Sequence, residues 1–250
     1  MNITLFDGSV KEFENGMNAL QIAKALSQGL GKKALAAKIN GEVVDLSTII
    51  DKDCSLEILT FDEPEGKKAL WHTASHVMAQ AVQRLFPDAK LAIGPAIDTG
   101  FYYDFDLPRP LTPEDLKEIE QRMRAITRAA EPFVYEEISG DDALKLFGDA
   151  GQSYKVEAIR DLAATGETIS IYRSGDFFDL CAGPHVADTR RVGVYKLLSI
   201  AGAYWKGDEK RPQLQRIYAT AFPSKKDLKE YLHQREEALR RDHRNLARDL

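Results

Sequence analysis

Residues 69–87 read ALWHTASHVMAQAVQRLFP, with the periodicity of an α-helix. Leu70, Ala74, Val77, Met78, Ala81 and Leu85 recur at helical spacing as an apolar stripe, and Pro87 ends the run. His72 and His76 lie beside each other, off that stripe. At i and i+4 two imidazoles share one helix face and can contact a common ligand. Taken alone, the pair reads equally well as two exposed or capping histidines, so a second cluster has to decide between the two.

Upstream of this helix, residues 1–61 read as a small module of their own. NITLFDGSVKEFENG (2–16) is strand, Asp-Gly turn, strand; NALQIAKALSQGLGKK (18–33) is one helix ended by glycine; ALAAKINGEVVDL (34–46) and SLEILTF (55–61) are short strands, the first pair around an Asn-Gly turn. A hairpin, a helix and further strands predict a ubiquitin-like β-grasp, followed by DEPEGKK (62–68) as a linker. Downstream, a larger α+β region is expected. KLAIGPAIDTGFYYDFDL (90–107) alternates as a half-buried sheet. Thr112 caps a helix with Pro113 at its first position and Leu116, Ile119, Met123 and Ile126 on its buried side. Further helices span roughly 140–163, and strands are predicted at ETISIYRSG, VYKLLSIAGAYW and QLQRIYATAF. Ser224, with Asp227 three residues on, opens a last helix that runs to Leu250 without a stop signal, as if another domain followed.

Composition sets outer bounds. With 250 residues, 44% of them hydrophobic, the chain can bury a substantial core in one or two domains. The N-terminus carries charges where a signal peptide needs an apolar run, so a cytosolic, cytoplasmic protein is expected. Cys54 and Cys181 fall in different predicted domains, which argues against a disulfide framework. The net charge of −5 conceals a gradient: from Lys206 onward there are 12 Lys or Arg against 8 Asp or Glu. Contact with a polyanion should therefore concentrate in the tail or in a local groove.

The second cluster is DLCAGPHVADT (179–189), which holds Asp179, Cys181 and His185 around a Gly-Pro turn. Adding His72 and His76 gives two four-residue pairs that can converge on one point, with the ligand types and number of a tetrahedral zinc site. The plainer alternatives are a cysteine packed as a small hydrophobe beside a satisfied histidine, and a catalytic Cys–His pair, although nothing in the sequence marks Cys181 as an activated thiolate.

The H-x-x-x-H helix, the CAGPH loop, AGAYWKGD and LQRIYATAF, in this order behind a β-grasp module, resemble the N-terminal half of bacterial threonyl-tRNA synthetases over essentially all 250 residues. The resemblance implies an α+β chain with a TGS (β-grasp) domain at 1–62, an editing domain with an antiparallel sheet at 63–223, and a linker helix at 224–250 leading to an aminoacylation domain that this chain lacks. It implies hydrolysis of the ester of mischarged seryl-tRNA(Thr). One methyl group separates serine from threonine and yields only ~1–3 kcal/mol of discrimination, so a second, hydrolytic sieve is needed. The residues carried over are His72, Lys155, Asp179 and His185 as catalytic. His72 and Lys155 would orient or activate water, His185 would protonate the leaving 3′-oxygen or hold a second water, and Asp179 would grip the substrate ammonium. Tyr103 would contact the terminal adenosine, with His76 and Cys181 as pocket wall. By pattern alone Lys155 is a solvated helix lysine and Tyr103 is core or cross-strand packing. The resemblance further implies tRNA(Thr) with a 3′-terminal seryl-adenosine as partner, no membrane partner, a homodimer for the full-length enzyme, and zinc and ATP only in the aminoacylation domain. Related alanyl editing domains bind zinc through the same His/His/Cys/His set, whereas the threonyl branch implies none, so His72, His76, Cys181 and His185 stand as an alternative zinc set.

Two other readings compete: a zinc-dependent hydrolase of small esters or amides, and a non-catalytic RNA-binding regulatory appendage with the β-grasp module as its working part. Action on seryl-tRNA but not on free serine esters separates the first reading from the zinc hydrolase, and deacylation without residues 1–61 separates it from the appendage.

Overall fold

Asp7 and Gly8 reverse the chain after strand β1 (Asn2–Leu5), Gly8 at φ +80°, and β2 (Val10–Glu12) returns antiparallel to it. In this computed structural model the backbone of residues 1–246 and the side chains of residues 1–241 are described. The short β3 (Met17–Asn18) leads into α1 (Ala19–Leu26), whose N-terminus is closed by a reciprocal capping box between Asn18 and Gln21. The expected single helix is divided at Ser27. That residue is extended and its hydroxyl accepts the Leu30 N–H, starting α2 (Gln28–Lys33) on a new axis. Gly31 lies inside α2 rather than ending a helix, because a Cβ there would meet Lys24 Cγ at 2.5 Å. Then come β4 (Ala36–Ile39), β5 (Glu42–Val44), β6 (Ile49–Ile50) and β7 (Cys54–Leu59). The five-stranded sheet runs β2-β1-β7-β4-β5, with β1 and β7 parallel at its centre, while β3 and β6 pair separately. Ile22 and Ala23 of α1 pack on Ile3, Ala37, Leu46 and Leu56, and this is a β-grasp.

The expected linker at 62–68 is mostly helix. Pro64 occupies the first turn of α3 (Pro64–Leu85), where its fixed φ and missing N–H cost nothing. The Glu63 carboxylate accepts the Thr60 N–H and hydroxyl at 2.6 and 2.9 Å, folding the junction back on itself. From Ala69 to Val82 almost every residue of α3 is buried, so the six-residue stripe is only one of its apolar sides. The helix runs through the middle of the second module, where each large side chain removed from water contributes about 1.5–3 kcal/mol.

Around α3 lie β8 (Lys90–Leu91), β9 (Ala96–Ile97), β10 (Gly100–Asp106), α4 (Pro113–Ala129), β11 (Val134–Glu137), α5 (Gly140–Asp149), α6 (Ser153–Thr165), β12 (Ser170–Ser174), β13 (Phe177–Leu180), β14 (Val194–Tyr204) and β15 (Gln213–Phe222). The main sheet is antiparallel in the order β14-β15-β10-β8, with β9 on β10; β11-β12-β13 form a second antiparallel sheet. Phe101, Tyr103 and Phe105 alternate onto the face of β10 that meets α3, with Met78, Ile119 and Met123 in the same core. Ser224 caps α7 (Lys225–Leu246), and Tyr231 packs on Phe222 at 5.2 Å. The last four residues of the predicted final helix lie outside the described residues.

Candidate active site

Five parts of the chain deliver the predicted residues to one place. α3 supplies His72 and His76 one turn apart; the loop after β13 supplies Cys181 and His185; and α6, β13 and β10 supply Lys155, Asp179 and Tyr103. An open cleft of about 430 Å³ is lined by His72, His76, Tyr103, Lys155, Asp179 and Cys181, together with Lys68 and the Ile93–Ala96 segment. A larger depression between the two modules, near Lys32, Phe61 and Arg191, contains none of these groups.

At the centre, His72 Nε2 stands 3.2 Å from His76 Nε2 and 3.2 Å from Cys181 Sγ, and Cys181 Sγ stands 3.3 Å from His185 Nε2. Burial depresses all three imidazoles. His72 is lowered to about 4, chiefly by burial, with Lys155 adding to the effect and Asp179 opposing it. His76 and His185 lie well below the usual histidine range, from burial first and neighbouring imidazoles second. Burial pushes the Cys181 thiol up to about 12, although the Gly183 N–H donates to its sulfur. With no metal held between them, these groups form an electrically neutral cluster at neutral pH, with Cys181 as a thiol.

Groups around the cluster set the ring tautomers. The Thr73 hydroxyl donates to the Ala69 carbonyl at 2.8 Å and accepts the Val186 N–H, so toward His185 Nδ1, 3.1 Å away, it acts as acceptor. This places the His185 proton on Nδ1 and turns a bare Nε2 inward. Phe133 stacks on the His185 ring at 4.8 Å. His76 Nδ1 lies 3.5 Å from Asp179 Oδ2 and makes no hydrogen bond among the described residues.

Lys155 is not a solvated helix lysine. It is 5% exposed, and its Nζ donates to Asp179 Oδ1 at 2.6 Å, while the Asp179 side chain is 1% exposed. Tyr103, fully buried, donates its hydroxyl to Asp179 Oδ2 at 2.6 Å, and the Leu180 N–H donates to Oδ1. Burial and the adjacent Asp179 charge raise the phenol well above its ordinary value. Both Asp179 oxygens thus have partners within the protein, and the Tyr103 hydroxyl is turned to Asp179. Gly94 makes that approach possible, since a Cβ there would meet the Tyr103 ring at 2.0 Å. The sequence reading missed Lys68, one turn before His72 on the cleft-facing side of α3, and also Thr73, whose hydroxyl orients His185.

The donor set has the residue types and number of a zinc site. Among the described residues, the ligand atoms of His72, His76, Cys181 and His185 all lie within 4.8 Å of one another. The three closest separations match those of neighbouring ligands around a tetrahedral ion with bonds of about 2.0–2.3 Å. Outer groups that hold the far nitrogen of a histidine are also what a metal site uses. The residues fit a zinc ion as well as they fit a closed, neutral hydrogen-bonded cluster.

Comparison with known proteins bears on the same residues. Residues 1–60 match the TGS domain, and residues 169–218, which carry Asp179, Cys181 and His185, match the threonyl and alanyl tRNA synthetase second additional domain. Over all 250 residues the chain is 53% identical to the threonine–tRNA ligase of Caldanaerobacter subterraneus subsp. tengcongensis and 55% identical to that of Clostridium botulinum (strain Kyoto), covering 39% of each. It is 50% identical to the threonine–tRNA ligase of Symbiobacterium thermophilum, covering 38% of it. The chain thus spans about two fifths of the length of these relatives. Among the described residues no helix is long and apolar enough to cross a membrane.

Proposed function

We propose that this chain, similar from end to end to the N-terminal region of threonine–tRNA ligases, is a proofreading module that hydrolyses the ester of mischarged tRNA, with seryl-tRNA(Thr) as its substrate. The observation that carries this reading is the buried Lys155–Asp179 pair opening onto the same cleft as His72. Ester hydrolysis needs a positioned water, a route for its proton, and donors for the developing oxyanion. His72, neutral above about pH 4, can accept the proton of a water in the cleft. Lys155, locked by Asp179, supplies ammonium donors to that water or to the oxyanion. His185, with its proton on Nδ1, works through the cluster rather than as a free acid, and Asp179 acts by holding Lys155 and Tyr103 rather than by gripping substrate. His76 and Cys181 form the wall against which the seryl side chain rests.

The proposed partner is the 3′-terminal seryl-adenosine of tRNA(Thr). Lys68 at the cleft mouth suits a phosphate of that terminus, so binding should weaken as salt rises. A second reading, zinc-dependent hydrolysis, is favoured by the 3.2–3.3 Å donor spacings. In it donors from His72, His76, Cys181 and His185 would hold the ion, and zinc would supply Lewis-acid polarisation and a water of lowered pKa where one of the four leaves a position open. Hydrolysis assays on seryl-tRNA and on small serine esters, each before and after exhaustive chelation with elemental analysis, test both readings. The proposal expects activity on seryl-tRNA alone that survives chelation. Activity on small esters that chelation abolishes and zinc restores would replace it.

A further inference from the structure

The N-terminal module is hydrogen-bonded to the active-site loop through the side chain of Asp45. Asp45 follows β5, and its carboxylate crosses into the second module. Oδ1 accepts the backbone N–H of His185 at 2.7 Å, and Oδ2 accepts the Tyr172 hydroxyl at 2.7 Å. Both are short, charge-assisted bonds. Tyr172 in turn sets its ring edge against the His185 imidazole at 4.4 Å and closes over Gly183, where a Cβ would lie 2.1 Å from the hydroxyl. Gly183 has φ +74°, so glycine is required there on two counts.

The loop has few other ties. Between Cys181 and Val186, the backbone N–H groups with partners among the described residues are those of Gly183, on Cys181 Sγ, and of His185, on Asp45. Cys181 is fixed at one end by Ser170, and Val186 at the other by Thr73. The ring of His185 is held by Thr73 and Phe133, and its backbone by a carboxylate 140 residues away in sequence.

We propose that Asp45 is a positioning residue: it holds the Cys181–His185 loop at the height where His185 and Cys181 meet His72 and His76, so that the β-grasp module completes the hydrolytic site. The inference rests on the deacylation reading for its kinetic consequence, though not for its structural one. It is tested on the 250-residue chain with Asp45→Ala, Asp45→Asn and Tyr172→Phe. Asparagine preserves both contacts, its carbonyl oxygen accepting the His185 N–H and its amide donating to the Tyr172 oxygen.

Single-turnover deacylation of seryl-tRNA should fall on the order of 10- to 100-fold in Asp45→Ala at saturating enzyme, the loss expected from sub-ångström to ångström misplacement, with the half-saturating concentration nearly unchanged. Asp45→Asn should restore most of the rate, and Tyr172→Phe should lie between. Nitrogen-15 NMR of the histidine rings supplies a readout independent of activity. The His185 signal should report an Nδ1-protonated ring in the parent and in Asp45→Asn, and a shifted or mixed state in Asp45→Ala, with the thermal melt of all three close together. Unchanged His185 signals in Asp45→Ala would overturn the proposal, as would an asparagine variant as impaired as the alanine one. If the parent chain fails to deacylate seryl-tRNA, the functional reading falls while the ring signals still decide the role of Asp45.

Discussion

Replacing Lys155 by Met removes one half of a buried ion pair and leaves the other half in place. Lys155 Nζ and Asp179 Oδ1 are 2.6 Å apart, with side chains 6% and 1% exposed. Stranding a buried charge in this way costs about 3–5 kcal/mol. Asp179 keeps the Tyr103 hydroxyl and the Leu180 N–H, which places the cost near the lower end, about 3 kcal/mol. Methionine fills most of the lysine stem volume, so cavity formation adds little. With a urea dependence of roughly 2–3 kcal/mol per molar, the unfolding midpoint should drop by about 1 M or somewhat more. The double variant Lys155→Met/Asp179→Asn has no stranded charge and should regain part of the midpoint: asparagine still accepts the Tyr103 hydroxyl, but its amide cannot accept the Leu180 N–H. Single-turnover deacylation should follow a different pattern: it should collapse in Lys155→Met and stay low in the double variant, since the ammonium that meets water or oxyanion is gone from both. An unchanged midpoint in Lys155→Met, or a double variant no more stable than the single, would refute the buried-pair argument.

Three further outcomes follow from the cluster. His72→Ala should cut the single-turnover rate by about two to four orders of magnitude, the range for a general acid–base group, and His76→Ala should cost less; equal losses across His72, His76, Cys181 and His185, with loss of bound zinc, would instead favour a shared metal. Cys181, a thiol raised to about 12 by burial, should resist iodoacetamide at pH 8 in the folded chain, and rapid alkylation there would show an accessible thiolate. Stability should be complete above about pH 7 and decline as pH falls from 6.5 toward 4, because the unfolded chain takes up protons that folded His72, His76 and His185 refuse, at about 1.4 kcal/mol per pKa unit per histidine. Urea midpoints between pH 8 and pH 5 measure this, and a flat profile would contradict the depressed histidines.

Much of the fold is legible along the chain because its punctuation is local. The Asp7-Gly8 and Asn40-Gly41 turns, the capping box at Thr112, and the alternation of Phe101, Tyr103 and Phe105 each act over a few residues. Ser27 shows the limit, since a hydroxyl inside a helical pattern restarts the helix by capping its next turn. The DEPEGKK stretch reads as a linker from its composition, yet Pro64 at a first helical position starts α3. The His/His/Cys/His cluster is readable from two four-residue spacings. Lys155 is not, because its burial depends on Asp179, a residue on another element. Asp45 could not be found from sequence: no spacing rule connects it to His185, and only the docking of the two modules does. That contact also changes the meaning of removing residues 1–61, which would now be expected to slow deacylation by releasing the loop as well as by exposing Leu35 and its partners in the shared core.

The central claim is tested most directly by the single-turnover rate of the 250-residue chain on seryl-tRNA(Thr) compared with threonyl-tRNA(Thr), at matched concentration and salt. A cleft shaped as a second sieve must admit serine and reject the additional methyl group. The account predicts rapid loss of the seryl ester with the threonyl ester left essentially intact. Equal rates on the two, or no hydrolysis of either, would contradict it.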